Sequence, residues 1–299
     1  FYTYGIERLG IPSLLMSDAT QGIRMLPHIE EKIGKSVAFP SPTSLAATWN
    51  PSLAYEYAKS IGEECRAAGI SILLGPGVNI YRVSQNGRNF EYFGEDPFLG
   101  SKMIEQYIKG VQSTGVVATL KHFLCNNHEY HRRTTNVIVD ERTLQEIYLP
   151  IFKAGIDAGA MAVMTSYNMV NGEYCAQSDF VIKYLLRDQL KFKWLVMSDW
   201  WSTYDPEKVI KSGLDLEMPG HTIETSPNIK ALGKPYVREN AKKLLEEGKI
   251  NEADIDRMVL NILRTAIAMN LYNQKPDKKY IEKFDEHEKV ALNTAREGI

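Results

Sequence analysis

An acid at position 199 has the sequence setting of a reactive group. Residues 195–197, Leu-Val-Met, form an apolar run that predicts a short buried strand, and Ser198, Asp199 and Trp200 follow it. Side chains at the carboxyl ends of parallel strands line the ligand crevice of α/β proteins, so Asp199 and Trp200 would set an anion beside a flat apolar platform. The alternative is that Ser198 or Asp199 caps a helix that continues from Asp205.

Other apolar runs of the chain also end in polar or reactive residues. These runs and the residues that follow them are 14–17 with Asp18, 116–120 with Lys121 and His122, 161–164 with Tyr167, and 70–74 with a Gly-Pro-Gly turn. Strands that end in acids, a base and an aromatic, separated by helical segments, are typical of a (β/α)8-type TIM barrel whose site is assembled from several strand ends.

The remaining segments are mainly helical. A helix is predicted from Asn50-Pro51 to about residue 68, because Pro suits the first turn and Gly69 suits the end. Leu53, Tyr57 and Ile61 would lie on one face of it. Further helices are predicted over 236–247 and 252–271. A sixth strand is expected over 213–218, with its two acids lining a wall, and residues 1–11 read as an unpaired lead-in. About six strands, where a full barrel has about eight, allow for an incomplete barrel.

Composition excludes several classes of protein. The 299 residues carry 37 acids and 35 Lys and Arg, a net charge of −2, so no electrostatic case exists for nucleic acid or an anionic membrane. No apolar run approaches the roughly 20 residues that cross a bilayer. The three cysteines, Cys65, Cys125 and Cys175, are widely spaced and are expected to be buried thiols rather than disulfide or zinc ligands.

Two long polar loops follow the second and third predicted strands. The first, residues 75–100, interleaves aromatics with Arg, which suits the stacking faces and hydroxyl groups of a sugar, although single-stranded nucleic acid also uses that combination. Its acids Glu91, Glu95 and Asp96 are expected to hold the loop. The second loop, 123–136, contains His128 and His131, whose spacing does not match the helical i, i+4 zinc motif, so they read as solvated.

At these residues the chain resembles glycoside hydrolase family 3, in particular its two-domain β-glucosidase type. The motifs that carry the resemblance are Ser17-Asp18 with Gly22 and Arg24, Gly87-Arg88-Asn89-Phe90-Glu91 with Phe93-Gly94-Glu95-Asp96-Pro97, Lys121-His122-Phe123 with Asn126-Asn127, Glu129 and Arg132, Met164 with Tyr167, and Ser198-Asp199-Trp200. The family's single-domain N-acetylhexosaminidases carry Pro-Gly after the Lys-His-Phe step, and this chain has Leu124-Cys125 there, so that branch is disfavoured.

The resemblance implies a role for each matching residue. Asp199 would be the nucleophile, and the glycone would be held by Asp18, Arg24, Arg88, Lys121, His122, Arg132 and Tyr167, between apolar walls of Met164 and Trp200. The acid/base of such enzymes lies in a second α/β-sandwich domain. The resemblance therefore implies a barrel domain over 1–280 and, over 281–299, a linker or entry to a second domain that is absent from this chain.

The implied activity is that of a retaining, exo-acting β-glycosidase, specifically a β-glucosidase, since Asp18 with Arg24 resembles the hydroxyl-binding pair of the glucosidase members. Two carboxyl groups suffice for that chemistry, so no metal or cofactor is expected. Lys121, Arg88 and Arg132 would favour the ionised form of Asp199. Two alternatives stay open: a non-catalytic sugar-binding barrel or inactive fragment that lacks the acid/base, and a lyase or aldolase that uses Lys121 as a Schiff base.

Overall fold

The fold is α/β and is built on a parallel sheet, as the sequence predicts. The computed structural model describes residues 1–220 and 237–299. The strands are β1 Met16–Ser17, β2 Ile72–Leu73, β3 Val117–Phe123, β4 Asn136–Val137, β5 Ala162–Thr165, β6 Met169–Val170, β7 Glu173–Tyr174 and β8 Leu195–Met197. Five of them pair in parallel in the order β1-β2-β3-β5-β8, and β4, β6 and β7 form a separate small sheet.

Helices pack around the parallel sheet. They are α1 Pro27–Ile33, α2 Pro42–Ala47, α3 Pro51–Ala68, α4 Pro97–Ser113, α5 Glu141–Thr143, α6 Leu149–Asp157, α7 Pro206–Ser212, α8 Val237–Glu246, α9 Glu252–Ala268 and α10 Phe284–Glu297, with π-helical segments at Leu144–Tyr148 and Phe180–Gln189. Tyr236, where the sequence predicts the start of α8, lies outside the described residues. None of the described helices is long and apolar enough to cross a membrane.

Local signals account for the helix that the sequence predicts best. The Asn50 side chain accepts a hydrogen bond from Leu53 N at 3.2 Å, Pro51 occupies the first turn, and Gly69 ends α3 with a φ of +75°. The helix then buries Tyr57 and Ile61 completely against the core. The predicted bounds of α3 are confirmed.

The sheet has an apolar cluster on its inner side and a larger one under the helices. The inner cluster includes Met16, Ile72, Val117, Ala162 and Leu195, one residue from each of the five parallel strands. Layers of side chains from successive strands fill the interior of (β/α) barrels in this way. Within residues 1–220 and 237–299, no strand pairing closes the five strands into a ring.

The prediction of an unpaired lead-in over residues 1–11 is wrong. Thr3 N donates to Leu14 O at 3.1 Å and Met16 N donates to Phe1 O at 2.7 Å, so the first residues run antiparallel to the approach to β1. This pairing carries the Phe1 ring to the carboxyl end of the sheet.

The predicted strand over 213–218 is reduced to one parallel bridge between Met197 and Leu216. The side chain of Asp215 is buried and replaces a main-chain acceptor of the sheet. Its Oδ2 accepts a hydrogen bond from Val196 N at 2.8 Å and forms an ion pair with Arg187 at 2.6 Å. The sequence analysis expected Asp215 to line a cavity wall. Its buried side chain supports β8 instead.

Helix α10 packs against α3. Phe284 is buried in the main core, and His287 lies between Glu63 Oε2 at 3.0 Å and Glu64 Oε1 at 3.1 Å. The boundary at residue 280, with 281–299 leading to a second domain, stays a prediction.

Candidate active site

The carboxyl ends of the parallel strands bring the predicted residues to one cavity. Asp18 follows β1, Lys121 and His122 lie near the end of β3, and Asp199 follows β8. Because neighbouring strands are parallel and in register, these ends meet at one edge of the sheet. The cavity has a volume of about 300 Å³, enough for a single sugar ring. Its lining residues are Phe1, Asp18, Arg24, Arg88, Lys121, His122, Arg132, Met164, Tyr167, Asp199 and Trp200.

Asp199 is buried but offers a free oxygen. Its side chain is not a helix cap, because Asp205 caps α7 by accepting from Glu207 N at 3.0 Å and Lys208 N at 3.2 Å. Oδ1 of Asp199 accepts from Trp200 N at 2.7 Å, and Oδ2 has no hydrogen-bond donor among the described residues. One carboxylate oxygen is thus held by the backbone, while the other is left for a ligand.

The charge state of Asp199 depends on two opposed effects. Burial raises the pKa of its carboxyl group, whereas Arg88, the Trp200 N–H, Lys121 and Tyr167 lower it, and the net direction is upward. The expected cationic stabilisation is present for Arg88 and Lys121, but the burial that outweighs it was not predicted. Asp199 therefore ionises at a higher pH than an exposed aspartate.

His122 is a neutral hydrogen-bond acceptor. Burial and then the nearby Arg88, Lys121 and Arg132 hold the pKa of His122 well below its usual value. Arg88 Nη2 lies 3.0 Å from His122 Nε2, and because a guanidinium only donates, Nε2 must be unprotonated. The proton then lies on Nδ1, which faces the Tyr92 hydroxyl at 3.2 Å. The 3.4 Å approach of Nε2 to Asp199 Oδ2 is accordingly not an ion pair.

Carboxylates hold the cations of the site in place. Glu91, 5% exposed, pairs with Arg88 through Oε1 and with Lys121 through Oε2 at 3.7 Å. Lys121 Nζ also contacts Asp18 Oδ1 at 3.3 Å. The expected role of Glu91 in holding the loop is confirmed. A carbonyl substrate would have to displace both carboxylates before the Lys121 amine could attack, which disfavours the Schiff-base alternative.

A second carboxylate, Glu129, sets the other side of the cavity. It pairs with Arg132 and lies 3.9 Å from Arg88 Nη1. The Arg132 guanidinium in turn covers the Tyr167 ring at 4.0 Å from the ring centre. Arg24 reaches the site from its rim, 3.7 Å from Asp18 Oδ2, with its side chain 58% exposed.

The apolar side of the cavity is formed by Trp200, Met164 and Phe1. Trp200 is part-buried and Met164 is buried. The Phe1 ring packs edge-to-face on Trp200 with centroids 4.4 Å apart. A flat apolar wall opposite a ring of charged groups suits a pyranose, which has apolar C–H faces and hydroxyl groups around its edge.

All of the predicted site residues line this cavity, and three further residues contribute to it that were not predicted as site residues. Phe1 lies on its wall, while Glu91 and Glu129 fix its cations. Glu91 and Glu129 lie within motifs that carry the family resemblance, each close in sequence to an Arg of the site. An acid in that position could therefore have been predicted to hold the Arg. No sequence signal points to Phe1, because its partner Trp200 is far along the chain.

The remaining predictions concern groups outside the cavity. The three cysteines are free and buried, as expected. Within residues 1–220 and 237–299, no group of three His, Cys, Asp or Glu side chains could hold a metal ion. His131 is exposed, as predicted, whereas His128 is half-buried. Asp96 caps α4 by accepting from Phe98 N at 2.8 Å.

Comparisons with known proteins define the class. Residues 4–265 match the glycosyl hydrolase family 3 N terminal domain, so the chain belongs to glycoside hydrolase family 3. Among curated relatives, the whole chain aligns with thermostable beta-glucosidase B of Acetivibrio thermocellus at 41% identity and covers 38% of it. It also aligns over its whole length with beta-glucosidase BoGH3A of Bacteroides ovatus at 38% identity and covers 41% of it.

Solved structures of beta-glucosidases also match this chain. Beta-glucosidase 3B from Thermotoga neapolitana in complex with glucose matches 99% of this chain with a TM-score of 0.90 and 37% identity, and the chain covers 41% of that structure. The chain thus spans about 40% of the length of these relatives.

Proposed function

We propose that this chain carries the nucleophile and glycone site of a retaining, exo-acting β-glucosidase that removes terminal non-reducing β-D-glucosyl residues. The observation that supports it best is Asp199 Oδ2: an oxygen of a buried carboxylate without a hydrogen-bond donor in the described chain, in a cavity of single-sugar size. The family membership and the beta-glucosidase relatives support the same activity.

The first step of the proposed reaction is attack by Asp199 on the anomeric carbon. A bond forms between Asp199 Oδ2 and C1, the bond from C1 to the glycosidic oxygen breaks, and a general acid gives the leaving oxygen its proton. Water then attacks C1, gives a proton to the same group acting as base, and releases glucose and the free carboxylate. Positive charge that develops on the ring lies beside Asp199, which stabilises it.

We assign the binding of the sugar hydroxyls to the charged side chains that line the cavity. Lys121, Arg88 and Arg132 are assigned as donors and Asp18 as an acceptor. His122 accepts from Arg88 through Nε2 and so orients that donor toward the hydroxyls. Asp18 with Arg24, at the rim, is assigned to the hydroxyls farthest from C1. Trp200 and Met164 are assigned to the apolar faces, and Tyr167 to the side next to Asp199.

The general acid is not assigned to a residue of this cavity. Asp18 is its only other lining carboxylate in the described chain, and it is committed to ion pairs with Lys121 and Arg24. We infer that the acid/base comes from a second α/β-sandwich domain, as the family resemblance implies.

The test is Asp199→Asn in the natural full-length protein, assayed for nitrophenol release from an aryl β-glucoside. We expect a loss of turnover on the order of 10⁴-fold or more with an unchanged circular dichroism spectrum. Asp157→Asn, which removes an exposed carboxylate paired with Lys153, is the matched control and should keep full activity. Turnover within about tenfold of wild type would remove Asp199 from the nucleophile's role.

The non-catalytic alternative makes a different prediction in the same assay. A sugar-binding module would bind glucose in calorimetry yet release no nitrophenol even in the wild-type full-length protein.

A further inference from the structure

Arg133 is not among the residues that line the cavity, but it donates hydrogen bonds to the turn that follows Asp199. Its Nη1 donates to Trp201 O at 2.6 Å and its Nη2 donates to Trp200 O at 2.8 Å. These are the two carbonyls that follow Asp199 in the chain. A guanidinium presents its N–H groups as a rigid fork, so one side chain fixes both peptide units at once.

Hydrogen bonds of the main chain and of Ser202 also hold this turn. Ser202 Oγ and Ser202 N donate to Asp199 O at 2.9 and 3.3 Å, and Trp201 N donates to Met218 O at 2.9 Å. Trp201 adopts a φ of +54°, a left-handed conformation that is unfavourable for a bulky side chain. Such a conformation persists only where its surroundings impose it, and Arg133 donates to the carbonyls on both sides of Trp201.

Arg133 also contacts a second residue of the site. Its guanidinium lies over the Tyr167 ring, 4.2 Å from the ring centre, and Arg132 lies at 4.0 Å from the same centre. The Tyr167 ring is therefore in contact with two cations. One side chain thus connects the nucleophile's turn to the tyrosine beside the nucleophile.

We propose that Arg133 is a positioning residue that sets the attack geometry of Asp199 by fixing the carbonyls of Trp200 and Trp201 and the ring of Tyr167. The proposal rests on the proposed function, since it concerns the approach of Asp199 to the anomeric carbon. Displacements of about 1 Å at a reacting atom can cost about 100-fold in rate, and the loss of two donors would allow a shift of that size.

The experiment measures the attack step alone, in the natural full-length protein. A 2,4-dinitrophenyl 2-deoxy-2-fluoro-β-D-glucoside has a leaving group that needs little protonation, and the fluorine slows the release of the glycosyl group, so the labelled protein accumulates. Intact mass gives the labelled fraction with time. The first-order rate constant at saturating reagent is independent of how much protein is correctly folded, so a purely structural loss leaves it unchanged.

We expect Arg133→Ala to lower this rate constant about 100-fold while the inhibition constant of glucose stays within about threefold. Arg133→Lys, which can reach one carbonyl but cannot fork both, should give an intermediate rate, at least tenfold below wild type. Arg264→Ala is the matched control, because Arg264 Nη1 donates to Lys193 O at 2.9 Å before the opposite end of β8. Arg264→Ala should leave the labelling rate constant within twofold of the wild-type value.

The outcomes separate the two proposals. If wild type is labelled and Arg133→Ala reacts within threefold of it, the positioning role is wrong while the proposed function stands. If Arg133→Ala does not fold, Arg133→Lys decides by the same criterion. If wild type forms no adduct, the proposed function fails and the role of Arg133 fails with it.

Discussion

His122 and His287 are both almost completely buried, at 1% and 2% exposure, yet their surroundings shift their pKa values in opposite directions. Burial disfavours an imidazolium at both places. Around His122 the neighbouring cations add to burial, and its pKa falls well below the usual value. Around His287 hydrogen bonds with Glu63 and Glu64 outweigh burial, and its pKa rises. The neighbours, rather than the depth, decide which buried histidine carries charge.

The difference corresponds to different tasks. Both nitrogens of His287 face carboxylates, so the imidazolium fastens α10 to α3 with Lys283 as a further partner of Glu63 at 2.9 Å. His122 instead accepts from Arg88 and adds no positive charge beside Asp199. A structural cluster neutralises its charges internally, whereas the cavity leaves one carboxylate oxygen unmatched for a substrate.

The largest effect on stability is expected at His287. His287→Ala leaves the buried Glu64 without its cation and Glu63 with Lys283 alone. Removal of one partner from a buried charge cluster costs about 3–5 kcal/mol of the free energy of unfolding. Urea unfolding measures it. His131→Ala, an exposed histidine, is the control and should change stability by less than about 0.5 kcal/mol. A loss below about 1 kcal/mol at His287 would show that the cluster does not depend on its charge.

At the cavity, the largest change short of removing Asp199 is expected for Arg88→Met. Loss of a donor to developing charge typically costs about 10²–10³-fold in kcat/KM, or about 2.7–4 kcal/mol. Arg88 also lowers the pKa of Asp199, whose net pKa is already raised. Without Arg88 that pKa rises further, so the acid limb of the kcat/KM profile should move to higher pH.

Arg142→Met, which breaks an exposed pair with Glu146, serves as the control for Arg88→Met. An acid limb that stays in place, or moves to lower pH, would contradict the assignment of that limb to Asp199.

The smallest effect is on the pH dependence of stability, and the two histidines should show it with opposite sign. The raised pKa of His287 stabilises the fold fully below about pH 6.5, and this contribution is lost as pH rises through the folded-state pKa. The lowered pKa of His122 contributes stability above about pH 6.5 that is lost as pH falls below it. Each contributes a slope of at most about 1.4 kcal/mol per pH unit.

Urea unfolding between pH 5 and 8 checks these slopes. His287→Gln should remove a fall in stability above pH 6.5, and His122→Gln should remove a rise in stability between pH 5 and 6.5. Equal changes of the same sign in both variants would contradict the comparison.

The sequence predicts the cavity better than it predicts the network behind it. Asp199, Lys121 and His122 were identifiable because each directly follows or ends an apolar strand run, a pattern contained within a few residues. The family resemblance then added Arg24, Arg88 and Arg132 from loops that have no periodic pattern. The parallel α/β fold followed from the same strand runs.

Features that join distant parts of the chain escaped prediction. Phe1 meets Trp200, Asp215 replaces a ladder bond of β8, and Glu63 and Glu64 meet His287 across more than 220 residues. The net pKa of Asp199 was missed for the same reason. Its cations can be read from composition and motif, but its desolvation depends on packing that only the folded chain defines.

The identity of the residue that becomes covalently attached to the sugar tests the account most directly. After reaction of the natural full-length protein with the 2-fluoroglucoside, proteolysis and tandem mass spectrometry locate the adduct. We predict a single glycosyl ester on Asp199, blocked by prior saturation with glucose. An adduct on Asp18, Glu91 or any other carboxylate, or no adduct in a protein that hydrolyses the aryl glucoside, would contradict the central role given to Asp199.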